Sequence, residues 1–250
     1  KGFLWFAAGY CTVKLGYILR DSFQTLLDQP KMFVPRLVST SISTLWVLSL
    51  PRFSGTEGMS LESLNVFFYL GSAPFIMFLG VFVSVMLAEM VAENPSLKKS
   101  FSRALRKWKT LLLISGGLLA STLLLYLPVA LGLVLAFLSG QVFFVWTGFI
   151  FSLVLLFGFS MAIFFLPVSI SKGGGLFESV LDSAKTSRTN SREVTALTLF
   201  SFVLLGMAFL MQGALQSIGV IGFVVSRFVS AVTTTYILVV SPKMYVADNE

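Results

Sequence analysis

The chain has 250 residues, of which 56% are hydrophobic and only 12% charged, with a net charge of +7. A soluble domain carries about 25% charged residues, so water cannot cover this surface and lipid must replace it around much of the chain. The cations sit beside apolar runs, which excludes nucleic acid as the partner and points to anionic membrane headgroups.

Crossing the hydrocarbon core takes roughly 20 apolar helical residues. Phe3 to Tyr10 is apolar but too short before Lys14 and Arg20, and reads as part of an interfacial amphipathic helix. Residues 33–50 form the first expected span, with Arg36 near one end. A polar turn over 51–60 leads to the second span, 64–91, with Pro74 as a kink site. A basic link follows, in which Leu97, Phe101, Ala104, Leu105 and Trp108 fall on one helical face and the cations on the other. Such a helix lies in the interface, apolar side down. Ser96 is its expected N-cap, without a capping box. The third span, 110–138, contains Gly116-Gly117 and Pro128. After the turn Ser139-Gly140-Gln141 comes the fourth, 142–170. Gly173-Gly174-Gly175 lacks the Lys-Ser/Thr of a P-loop and reads as a hinge before another surface helix. The fifth span is 194–211, the turn 212–217, and the sixth span 218–240.

The cations divide unevenly. Lys14, Arg20, Lys31 and Arg36 flank the first span. Lys98, Lys99, Arg103, Arg106, Lys107 and Lys109 lie between spans two and three, and Lys172, Lys185, Arg188 and Arg192 between spans four and five. Lys243 follows span six, while the opposite links hold only Arg52. The positive-inside rule then puts both termini and the basic links in the cytoplasm, in a multi-pass protein of the cell membrane.

The basic links also resemble one another. Asp21-Ser22-Phe23, Lys99-Ser100-Phe101 and Glu178-Ser179-Val180 occupy the same place in each, the serines 78 and then 79 residues apart. The chain therefore reads as a single all-α transmembrane domain of three pseudo-repeated hairpins, 15–92, 93–170 and 171–250. Each has a cytoplasmic interfacial helix and two spans, arranged about a pseudo-threefold axis along the membrane normal.

Chemistry is sparse. There is no histidine and one cysteine, Cys11, which removes the commonest general base and metal ligand and any internal disulfide. No catalytic residue, metal or cofactor is expected. Ionisable groups at membrane depth are costly and default to function. Arg227 lies about nine residues into the sixth span, roughly 13 Å deep at 1.5 Å per residue. Two readings of it stand: snorkelling or an ion pair with Glu57 or Glu62, and binding of an anion or headgroup. Arg36 and Glu89, at the same end of neighbouring spans, form an expected structural ion pair. Gln212 and Gln216, one turn apart, are candidate lining residues of an outer vestibule. Small residues such as Ser39, Ser43, Gly116, Gly117, Gly206, Gly213, Gly219 and Gly222 are expected to bring helices close. Residue 1 is Lys, so the chain is expected to begin inside a longer or processed protein.

At the third link, Leu166-Pro167-Val168-Ser169-Ile170, Glu178-Ser179-Val180-Leu181-Asp182-Ser183-Ala184-Lys185 and Ser187-Arg188-Thr189-Asn190 resemble a broad group of prokaryotic six-span membrane proteins. That group includes the membrane domain accompanying some glycerophosphodiester phosphodiesterases, and the resemblance implies no catalytic residues in the membrane part. The three-hairpin plan is similar to mitochondrial carriers, but their Pro-x-Asp/Glu-x-x-Lys/Arg signature is missing from the odd spans, which excludes that match. The functional expectation is a transport or channel-like role for a small or lipidic solute, through a polar cavity containing Arg227. The alternative is a non-catalytic membrane scaffold or accessory subunit.

Overall fold

A computed structural model describes residues 2–49, 61–93, 96–173 and 175–249, without the side chains of 2–14, 61–70, 216 and 248–249. The described residues are helical, with no strand. In chain order the helices are α1 (Gly2–Asp28), α2 (Phe33–Ser49), α3 (Leu61–Glu93), α4 (Leu97–Arg106), α5 (Trp108–Leu125) and α6 (Leu127–Ser139). They continue as α7 (Phe143–Ala162), α8 (Leu166–Ser171), α9 (Leu176–Thr189), α10 (Ser191–Gln216) and α11 (Val220–Asn249).

Among the described residues, six stretches are long and apolar enough to cross a membrane: Pro30–Ser49, Gly71–Glu93, Trp108–Ser139, Phe143–Ser171, Ser191–Leu215 and Val220–Ala247. These match the expected spans in number and place, and the protein is a multi-pass, all-α membrane protein. Spans three and four each consist of two helices, because proline has no N–H and its ring clashes with the preceding turn. Pro128 ends α5 at Leu125 and opens α6, and Pro167 separates α7 from α8. Pro74 does not break α3, which runs through it.

The break in span four exposes backbone at membrane depth, where every polar group needs a partner. The Leu166 and Val168 N–H groups bond to Ile163 and Phe165, leaving the Ala162 and Phe164 carbonyls outside the helical ladder. Ser183 Oγ donates to the first at 2.9 Å and Ser241 Oγ to the second at 2.6 Å. Hydroxyls from α9 and α11 thus stabilise the break.

Packing follows a rule. α2 packs on α3, α6 on α7 and α10 on α11, giving three hairpins. The first span of each hairpin also packs on the second span of the hairpin before it: α5 on α3, α10 on α7, and α2 on α11, which closes the ring. Where the basic links lie (the basic end), α4 packs on α3, α9 on α7 and α8, and α1 on α11. There α3, α8 and α11 also touch one another. Ser22 on α1, Ser100 on α4 and Ser179 on α9 are all buried.

The helix α4 corrects one sequence expectation. Its buried face is Ser100 and Ala104, turned to the bundle, while Phe101, Leu105 and Trp108 stay exposed. Ala104 therefore leaves the expected apolar set, and small residues let the helix approach α3. Ser96 is the N-cap by backbone geometry but makes no side-chain capping bond. At the glycine run, Gly173 takes a left-handed φ of 92° that favours glycine. The Gly175 N–H donates to Glu178 Oε2 at 3.2 Å, capping α9, and Gly174 lies outside the described residues.

Of the glycines expected to pack closely, only Gly222 does so among the described residues, and two others that were not singled out join it. A Cβ on Gly132 would collide with the Phe144 carbonyl oxygen and one on Gly148 with that of Pro128, so these two glycines hold α6 against α7. Gly222 likewise abuts the Leu215 carbonyl at the turn into α11. Gly116, Gly117, Gly206 and Gly213 face open space.

Candidate functional site

A cavity of about 410 Å³ lies between the six spans, from their middle toward the basic end. Every span contributes wall: Arg36 from the first, Ser84 from the second, Leu118 from the third, Phe164 from the fourth, Ser201 from the fifth and Thr234 from the sixth. The broken stretch of span four forms one side through Ile163, Phe164 and Pro167. The lining is mostly apolar with a few hydroxyls and one charge, as in ligand sites of about 300–1,000 Å³.

Three of the wall hydroxyls are already committed. Ser84 Oγ donates to Gly80 O at 2.8 Å, Ser201 Oγ to Leu197 O at 2.8 Å, and Thr234 Oγ1 to Ser230 O at 2.6 Å. Such back-bonding satisfies a hydroxyl within its own helix. Thr198, also in the wall, is buried with an unpartnered hydroxyl. The strong donor is therefore Arg36. Its Nε donates to Thr234 Oγ1 at 3.2 Å, and among the described residues no carboxylate pairs with it. The terminal nitrogens remain as a fork whose spacing matches two oxygens of one acidic group.

The expected cavity contained Arg227; the cavity in the structure is lined by Arg36 instead. Arg227 sits between the first and sixth spans, its Nη2 donating to Ser43 Oγ at 3.5 Å and its guanidinium 5.8 Å from the Phe223 ring. Its Nε is buried without a partner. The two arginines reach across the same interface in opposite directions, Arg36 to α11 and Arg227 to α2. Glu57 lies outside the described residues, and so does the Glu62 side chain. Gln212 is half-buried near the far end of α10 and is not part of the cavity wall, and the Gln216 side chain lies outside the described ones.

The expected Arg36–Glu89 pair is also corrected. Glu89, 4% exposed, pairs with Lys107 at 3.3 Å. Lys107 Nζ also donates to Ile170 O at 3.2 Å and Ser171 O at 2.6 Å. The ammonium thus caps the C-terminal carbonyls of α8, a favourable place for a cation, while reaching the carboxylate of α3. Arg36 is drawn to Thr234 because α2 packs on α11 as well as on α3. Nothing in the sequence pattern marks Lys107 apart from the other cations of the basic link, so this pairing was not foreseeable.

Compared with protein-family models, curated proteins and solved structures, the chain matches none.

Proposed function

We propose that the protein binds an anionic, largely apolar solute in the six-span cavity and lets it cross the membrane, in a transport or channel-like role. The observation that carries this reading is Arg36: a guanidinium in an apolar cavity, without a carboxylate partner among the described residues, and with its fork of terminal nitrogens uncommitted. Arg36 is half-buried, and a charge held among apolar walls without a counter-charge is costly; an anionic headgroup would supply it while the alkyl part fills the apolar remainder. The proposed role is non-enzymatic, a passage for the solute rather than a reaction on it.

The proposal includes the threefold internal repeat, with the basic end in the cytoplasm by the positive-inside rule. The ring closure of α2 and α1 on α11 supports the repeat. So do Leu87, Phe165 and Met244, which are fully buried at the same distance along the chain from Ser22, Ser100 and Ser179. A second reading, a non-transporting scaffold, draws on span three, whose most apolar 18-residue stretch is only 6% buried.

Decanesulfonate, permanently anionic and apolar elsewhere, is a suitable probe. Liposomes carrying the protein are expected to release it faster than empty liposomes, with Arg36→Gln at background. Equal release by wild type and Arg36→Gln contradicts the reading.

A further inference from the structure

A second cavity, about 560 Å³, opens at the basic end on the other side of α8. Val168 and Ser171 line it, whereas Leu166, Pro167 and Ile170 line the central cavity. Its walls come from the ends of α3, α8 and α11 and from α4. We infer that this pocket binds a phosphate group, carried by an inner-leaflet lipid headgroup or by a soluble phosphorylated compound.

Arg103, Arg106, Lys107 and Lys172 line the pocket against Glu89 and Glu93. Arg103, Arg106 and Lys107 stand at helical spacing on one face of α4 and its end, where like charges repel. The two carboxylates are already engaged. Glu93 pairs with Arg103 at the exposed rim. Glu89 Oε1 takes Lys107, and its Oε2 is sealed by burial, so neither oxygen meets a ligand. Two positive charges therefore remain, those of Arg106 and Lys172. A phosphate monoester carries about −1.5 to −2 at neutral pH, which matches them.

Geometry assigns the roles. The three N–H donors of Lys107 are committed to Glu89 and to the Ile170 and Ser171 carbonyls, so it supplies a fixed positive field rather than a bond. Arg106 is exposed in the last turn of α4 and offers a bidentate fork to two phosphate oxygens. Lys172, just past α8, lines another wall of the pocket. Its ammonium lies 4.0 Å from the Tyr245 ring centroid and donates to the Tyr245 hydroxyl, which holds it in the lining and leaves its remaining N–H groups and its charge for the same phosphate. The site shares no residue with the central cavity, so it stands or falls independently of the proposed solute.

Native mass spectrometry of the detergent-solubilised protein would count bound dioleoylphosphatidic acid against dioleoylphosphatidylcholine. Titration calorimetry with glycerol 3-phosphate would test the soluble source. In at least one arm wild type is expected to bind saturably, and the double variant Arg106→Gln, Lys172→Gln to bind about tenfold more weakly or worse. Selective retention of the phosphatidic acid would identify a headgroup site, and binding of glycerol 3-phosphate a soluble one. The control variant Lys98→Gln, Lys99→Gln removes the same charge from α4 outside the pocket and is expected to bind as wild type. Equal loss in both variants, or wild-type binding by Arg106→Gln, Lys172→Gln, or no binding in either arm, overturns the assignment.

Discussion

The most apolar 18-residue stretches of spans two and three have the same mean hydropathy, 2.3, yet half of the first stretch is buried in protein and only 6% of the second. The reason is that lipid tails are as apolar as leucine, so hydropathy selects residues that leave water without deciding what they leave it for. Position in the ring decides. α3 touches α2, α4, α5, α8 and α11, and Val85, Leu87 and Ala88 on it are fully buried. α5 and α6 lie at the periphery, where Leu113, Leu123 and Leu124 are exposed to lipid. The polar groups follow the same division: Glu89 lies on span two and its partner Lys107 just ahead of span three.

The largest way to break this contrast acts on that pair. Lys107→Met leaves Glu89 buried without its partner and strips the cap from α8, with an expected loss of about 3–5 kcal/mol. Thermal unfolding in detergent would read it. If Glu89 is as exposed to water as span-three side chains are to lipid, the loss shrinks to that of a surface pair. Next comes a like-for-like leucine comparison. Leu87→Ala is expected to cost about 2–5 kcal/mol, because it opens a cavity in the core. Leu113→Ala, 60% exposed on the third span, is expected to cost under about 0.5 kcal/mol. Similar losses would mean that span three is covered by protein. The smallest effect sharpens the contrast within one hairpin. Gly148→Ala drives a Cβ into the Pro128 carbonyl and is expected to cost about 1–3 kcal/mol. Gly116→Ala meets nothing and should be neutral or slightly stabilising.

Much of the fold was legible in the sequence for a physical reason. Spans are set by the thickness of hydrocarbon, so an apolar run such as 194–211 marks a helix whatever its neighbours are. The three serines singled out by their spacing, Ser22, Ser100 and Ser179, are all buried. The site was less legible. Arg227 drew notice by its depth along one helix, but lining a cavity depends on which helices face each other. Arg36, at the edge of its span, enters the cavity because α2 leans on α11. Glu89 found Lys107 rather than Arg36 because α4 folds back on α3, a contact no hydropathy profile contains. The glycines that pack, Gly132 and Gly148, differ from their open counterparts only in what faces them.

The central claim is a charge-selective cavity built around Arg36. Equilibrium binding of radiolabelled decanesulfonate and of decanol, to wild type and Arg36→Gln in nanodiscs, tests it most directly. Saturable decanesulfonate binding at least about tenfold tighter in wild type than in the variant, with decanol indifferent to the substitution, is the expected result. Decanesulfonate binding unchanged by Arg36→Gln would contradict it.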